Sequence, residues 1–384
     1  MKWENIVNCV DIKTEAVKPF NGTKMFLSTG ALDGNTVVVS KLIQVTYDNR
    51  PSRANLIVHE GDIIFAKMQN TKKVLQITKE NESLIVSTGF FVVRPISSLD
   101  GEYLFEYLNS DLFNSQKDKF CTGATQKALT NAGLKEILIP LPDIETQKKV
   151  AGALKRIRLL IEKRKEQIAV LDKLAKDTFI DMFGDPFTNP MGWEKKRIDE
   201  FATVKTGGTP SRSVPSYWGG TIPWVKTGEI QRNVIMDTEE FITEEAVANS
   251  NAKIVPRDTI LIAMYGQGKT RGMAAKLGIN AAINQACAAI LPNDSYNTDY
   301  LLFLLFQSYE SLRAMGRGGN QPNLNLGMIK SYDVIFPDIV FQNEFSKKYS
   351  AIEDQKSRLK ASLIELEKTY ESIMQKAFNG ELFN

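Results

Sequence analysis

Two stretches of the chain carry the same long-period hydrophobic pattern. Between 146 and 182, apolar side chains recur at spacings of four and three: Val150, Leu154, Ile157, Ile161, Ile168, Leu171 and Ala175. Towards the other end the pattern returns as Phe345, Tyr349, Ile352, Leu359, Leu363, Leu366, Tyr370, Ile373 and Ala377. Such spacing keeps a narrow apolar stripe on one helix face, so it predicts two long helices packed seam to seam as a coiled coil. No proline interrupts 146–182, and Asp143 or Thr146 can cap its start. Arg164 and Lys356 fall within the stripes, as polar residues that fix register at some cost in stability do. The first helix delivers the chain to a second globular segment, so packing the two seams together makes the helices antiparallel. About 35 residues at 1.5 Å rise give a helix of ~50 Å, longer than the ~34 Å turn of B-DNA.

Before each helix the pattern is that of a mixed domain. Short β-rich runs stand at Thr36–Ser40, Asp62–Ala66, Leu84–Val86, Phe90–Val93, Thr259–Ala263 and Ala288–Leu291. One short helix per domain is predicted, near Tyr103–Asn109 and near Tyr300–Tyr309. The two halves are also copies of one another. Residues 123–147, GATQKALTNAGLKEILIPLPDIETQ, align without a gap on 318–342, GGNQPNLNLGMIKSYDVIFPDIVFQ, at a constant shift of 195. Gly123, Gln126, Leu129, Lys135, Pro142, Asp143, Ile144 and Gln147 then meet identical residues. Trp3-Glu4 and Trp193-Glu194 continue the match upstream at a drifting shift. The predicted fold is therefore α+β: two tandem mixed domains, 1–142 and 186–337, with helices 143–185 and 338–384 as an antiparallel, pseudo-two-fold coiled coil.

Composition sets limits on the chemistry. Cys9, Cys121 and Cys287 are far apart, and His59 is the single histidine of the 384 residues. A disulfide framework, a zinc site or a Ser-His-Asp triad has too few partners here. With no long apolar run and no apolar leader at the start, a cytoplasmic protein with no membrane contact is expected. The net charge is only +3. Residues 1–142 hold 16 basic and 15 acidic side chains, and 186–337 hold 15 and 14. A nucleic-acid ligand would thus need positive charge gathered on one face.

The loops offer that chemistry. Residues 205–232 mix Gly207-Gly208, which permit close backbone approach, with Thr209, Ser211, Arg212, Tyr217, Trp218 and Lys226. Hydroxyls suit phosphate, and an arginine fork suits phosphate or guanine. A second loop supplies Tyr265, Gln267, Lys269 and Arg271. In the first domain the comparable residues are Lys67, Gln69, Asn70, Lys72 and Lys73, with Arg50 and Arg53 before them. Gly268-Lys269-Thr270 imitates the end of a phosphate-binding loop, but position 263 is Ala263 where that motif needs glycine. Asp185-Pro186-Phe187 falls one proline short of an amino-methyltransferase motif. No catalytic or metal-binding constellation is evident.

The duplicated domain-plus-helix plan, the GGTPSR…YWGGTIPWVKTGEI stretch and the paired joins together resemble the specificity subunit of type I restriction–modification systems. The resemblance covers essentially the whole chain, although the first domain lacks a GGTPS-type loop, with only Asn21-Gly22-Thr23 and Ser28-Thr29-Gly30 in its place. It implies target-recognition domains that each read one half of a bipartite, asymmetric double-stranded DNA site. It also implies docking of two methyltransferase (modification) subunits and of restriction (translocase–nuclease) subunits. S-adenosylmethionine and ATP with Mg would belong to those partners, leaving no cofactor and no catalysis in this chain. Two other readings fit the residues: a stand-alone bipartite DNA-binding regulator, and a coiled-coil scaffold that binds no DNA.

Overall fold

The structure is a computed structural model that describes residues 2–266, 268–316 and 323–381. It falls into two compact units. The first is Met1–Gln167 with Leu359–Asn384, and the second is Ile168–Arg358. Each long helix therefore contributes to both units.

The duplication seen in the sequence reappears as strand topology. In the first unit an antiparallel sheet runs in the order Val10–Lys13, Phe90–Pro95, Ile63–Ala66, Val74–Gln76. Its second sheet, ordered Ile43–Val45, Lys24–Leu27, Ile85–Ser87, Ala54–Ile57, has a parallel central pair and antiparallel flanks. The second unit repeats the first sheet as Val204–Thr206, Cys287–Ile290, Ile260–Ala263, Ala274–Leu277, and adds Val234–Ile235 in parallel at the edge. It repeats the second sheet as Glu240–Ile242, Trp218–Val225, Ala281–Ile283, Ile254–Val255, again with a parallel central pair. Ile63–Ala66 and Ile260–Ala263 are buried along their whole length, which is why they read as continuous apolar runs rather than alternating ones.

Two expectations change. Thr36–Ser40 is strand only at Thr36–Val37 and then tightens into a helical turn over Val39–Lys41. In each domain the predicted short helix is followed at once by a second one. Gly101–Asn109 is followed by Asp111–Lys119, because Ser110 ends the first and caps the second. Thr298–Gln307 is likewise followed by Tyr309–Ala314.

The long helices are Ile144–Phe183 and Ile339–Asn379. Within each unit they run antiparallel. In the first, Lys165 pairs with Glu367 at 2.9 Å. In the second, Asp172 pairs with Lys356 at 2.7 Å, and the Phe179 ring meets Phe345 at 5.4 Å. The predicted seam is a true narrow stripe in its middle, where Ile157, Ile168, Leu171, Ile352, Leu363, Leu366 and Ile373 are half-buried and Ile161 and Leu359 are buried. At the ends it widens into domain core. Val150 and Leu154 are therefore core residues of the first domain rather than simple seam contacts, because the helix Gly101–Asn109 lies over them together with Met374 and Phe378. Phe183 and Phe378 occupy matching places in the repeat, against Tyr300 at 4.9 Å and Tyr103 at 5.3 Å.

A buried glutamine fixes each long helix to its domain. Gln147 Nε2 donates to Pro142 O at 2.9 Å, and its Oε1 accepts from the N–H of Asp100, which caps Gly101–Asn109. Gln342 bonds Pro337 O and the N–H of the cap Asn297 in the same way. The repeated Pro-Asp-Ile-x-x-Gln of the sequence is thus an anchor between helix starts, satisfying amides that burial would otherwise strand.

Candidate nucleic-acid interface

The glycine-rich loop of the second domain is built for packing. A Cβ on Gly207 would lie 1.8 Å from the carbonyl oxygen of Ile283, and one on Gly208 2.6 Å from the Asn251 backbone. The close approach for which these glycines are needed is to the domain's own backbone, at Ile283 for Gly207 and at Asn251 for Gly208, with Gly208 N donating to Ile283 O at 3.0 Å. From that base the loop carries Thr209, which donates to Gln285, and Ser211, whose hydroxyl meets Ser213 at 2.7 Å. Trp224 is buried and donates its indole N–H to Gly208 O, and Trp218 donates to Ser211 O. The two indoles meet edge to face at 5.2 Å. Arg212 lies over the Trp218 face at 3.6 Å and bonds Glu240 at 2.6 Å. Tyr217 is half-buried against the same small core.

Lys226 pairs with Glu240 at 2.8 Å and with Glu239 at 2.9 Å. Hydrogen bonds from Arg212, then from Lys226, hold the Glu240 carboxyl below the ordinary carboxylate range. Two cations and two anions thus share one cluster, so Arg212 and Lys226 are not the open positive patch that residue type suggests.

The second loop of each domain is fastened to the second of its tandem helices. In the second domain Tyr309 donates to Lys269 O at 2.6 Å, and Arg313 donates to Arg271 O at 3.1 Å. The side chains of Tyr265 and Lys269 are exposed, that of Arg271 is half-buried, and Gln267 lies outside the described residues. Arg232, held in a left-handed backbone at φ 57°, adds a guanidinium 5.3 Å from the Tyr309 ring.

In the first domain several of the predicted contacts are bonded to the protein itself. Lys67 donates to Thr88 O at 2.9 Å with its ammonium 4.6 Å from the Phe91 ring, and burial pushes its pKa down. Lys73 donates to Thr29 O, Gln69 to Asp118 O, and Lys72 pairs with Asp111. Asn70 takes a left-handed turn, φ 55°, with its N–H on Asp118. Buried Lys117, which sequence reasoning passed over, clamps Thr71 O. Lys67, Lys73 and Lys117 build the loop, since an ammonium bonded to a backbone carbonyl has lost part of its reach, whereas Asn70 and Lys72 are exposed on it.

The first domain also presents residues on its parallel-centred sheet. Phe20 and Tyr47 meet edge to face at 6.0 Å on the sheet's small core. Arg50 stacks 3.9 Å over Tyr47, and Lys24 stands 5.3 Å over Phe20. Arg53 is exposed beside them in sequence. Both domains therefore place an arginine on an aromatic pair over the same sheet of the repeat. Phe20–Tyr47 and Arg212–Glu240 each join residues far apart in the chain, which no local pattern reveals, whereas Lys24 on Phe20 and Arg50 on Tyr47 are close neighbours in sequence.

A duplicated α+β domain, each copy completed by both of two long helices and bearing a cation-on-aromatic surface, defines a tandem two-domain binding protein. The chain belongs to the family described as type I restriction modification DNA specificity domain, which matches residues 6–171 and again residues 190–368. It is similar to the MjaIX type I restriction enzyme specificity subunit of Methanocaldococcus jannaschii, 24% identical over 78% of this chain and 73% of that one. Its resemblance to the HindI specificity subunit of Haemophilus influenzae is lower, 19%, but extends over 93% of this chain and 94% of that one. The fold matches the S subunit of a type I restriction–modification system from M. genitalium with a TM-score of 0.64 at 14% identity, over 98% of this chain and 96% of that one. Among the described residues no helix is long and apolar enough to cross a membrane.

Proposed function

We propose that this chain is the non-catalytic sequence reader of a type I restriction–modification complex. Each domain reads one part of a bipartite, asymmetric duplex site, and the long helices set the gap between the parts. Two modification subunits dock on the chain, and restriction subunits join them. S-adenosylmethionine and ATP with Mg act in those partners. Family membership supports the restriction–modification setting. The observation that carries the DNA reading is the repeated placement of Arg50 on Tyr47 and Arg212 on Trp218, over equivalent sheets. Stacked guanidiniums offer direction for base edges, and the exposed side chains of Arg53 and Lys269 offer charge for phosphates.

Binding of the full-length chain to duplex DNA across a salt series tests this. Arg53→Ala and Lys269→Ala should each weaken binding to all sequences and lower the slope of log K against log salt by about 1. A slope unaltered in both variants would remove these residues from the interface, and no binding by the wild type would remove the proposal. Mass measurement of the assembled complex should give one copy of this chain to two modification subunits.

A further inference from the structure

We infer that Glu240 is a positioning residue that sets the base preference of the second domain, by holding Arg212 on Trp218 so that the guanidinium is aimed at a guanine edge. This rests on the DNA-reading proposal above and names a determinant within it.

The support for Arg212 is layered. Buried Trp224, tied to Gly208 O at 3.0 Å, backs Trp218. Trp218, tied to Ser211 O at 3.2 Å, backs the guanidinium face at 3.6 Å. Glu240 takes one edge of the fork, through Nη1, at 2.6 Å. Strand pairing sets Glu240 directly opposite Trp224, so carboxylate and stacking platform are placed by one register. The Arg212 side chain nevertheless remains 57% exposed. One face and one edge are fixed, and the rest of the fork is open to solvent.

The charge of the cluster decides what such an arginine is for. Arg212 and Lys226 are matched by Glu239 and Glu240, so the group adds no net attraction for a polyanion. A phosphate contact needs charge and reach, and a neighbouring carboxylate weakens it. A base contact needs direction, and the two acceptors of guanine, O6 and N7, match a fork held in place. The carboxylate also repels a duplex that offers no such contact. Removing its charge should therefore strengthen non-specific binding while weakening discrimination, and a simple ion pair would not give that pair of effects together.

The experiment selects bound duplexes from a random-sequence pool with the full-length chain, as wild type and as Glu240→Gln, Arg212→Ala and Trp218→Phe. Affinities for the selected duplex and a scrambled one are then measured. The wild-type site should contain a G·C pair whose preference falls roughly 10- to 100-fold in Arg212→Ala. Glu240→Gln should lose preference at the same pair while binding the scrambled duplex more tightly, and Trp218→Phe should lose part of it. The half of the site read by the first domain should be unchanged in all three, and the remaining base pairs of the second-domain half should still be selected, which shows that the variant domain is folded. Glu240→Gln that keeps the preference and binds every sequence more tightly overturns the proposal, as does Arg212→Ala that weakens every sequence equally. A wild type that enriches no sequence overturns the DNA reading itself, and this inference with it.

Discussion

Single residues show how composition can point to the right segment and the wrong role. Gly207 and Gly208 were legible as a place where backbone must come close to something, but the neighbours are the Ile283 strand for Gly207 and the Asn251 backbone for Gly208, both far along the chain. Gly207→Ala should therefore destabilise the second domain by about 2 kcal/mol or more through forced strand displacement, read as a lower midpoint in denaturant. Glu106 was invisible to sequence reasoning. It is fully buried, accepts from Tyr370, and takes Arg158 Nε at 3.1 Å, while Arg158 also pairs with Glu102. Burial raises its pKa despite these partners. A carboxyl raised in the folded state contributes stability that is complete below its unfolded value and lost as pH climbs through the folded one. Arg158→Ala leaves that charge without its cation and should cost about 3 kcal/mol near neutrality. The same sign predicts a smaller cost at pH 5 than at pH 8, measurable by denaturation at both.

At the scale of elements the long helices were the best-read part of the molecule, because a stripe at 3.5-residue spacing is a strong and local signal. The middle of each stripe behaves as written, down to Lys356, where burial alone would depress the ammonium but Asp172 and Glu353 outweigh it and raise its pKa. At the ends the same spacing runs on into a globular core, where Val150 and Leu154 cluster with Phe378 of the other long helix and with Tyr103 and Tyr107 of the domain. Short strands and the second of each helix pair were poorly legible, since a few residues seldom carry a full period. The core contribution of the second helix makes a sharp prediction. Deleting residues 359–384 should expose the first domain to protease while leaving the second resistant, because Met374, Ala377 and Phe378 belong to the first domain's core. Phe378→Ala alone should cost about 3–5 kcal/mol in that domain.

For the whole molecule, the internal repeat was the feature that made function legible, since it fixed the domain plan before any side chain was weighed. The repeat extends to the sheets that carry the two stacked arginines but not to the residues themselves. Arg50 with Tyr47 and Arg212 with Trp218 come from different positions of the copied frame, a divergence that fits the proposed reading of two different sequences. Inserting one heptad into both long helices should lengthen the gap between the two specified blocks and leave the blocks themselves unchanged. Methylome sequencing of cells that carry this chain with its modification subunits tests the central claim most directly. The account predicts one asymmetric motif of two short specified blocks separated by a fixed unspecified gap, with second-domain substitutions altering one block only. A single contiguous motif, or substitutions that alter both blocks together, would contradict it.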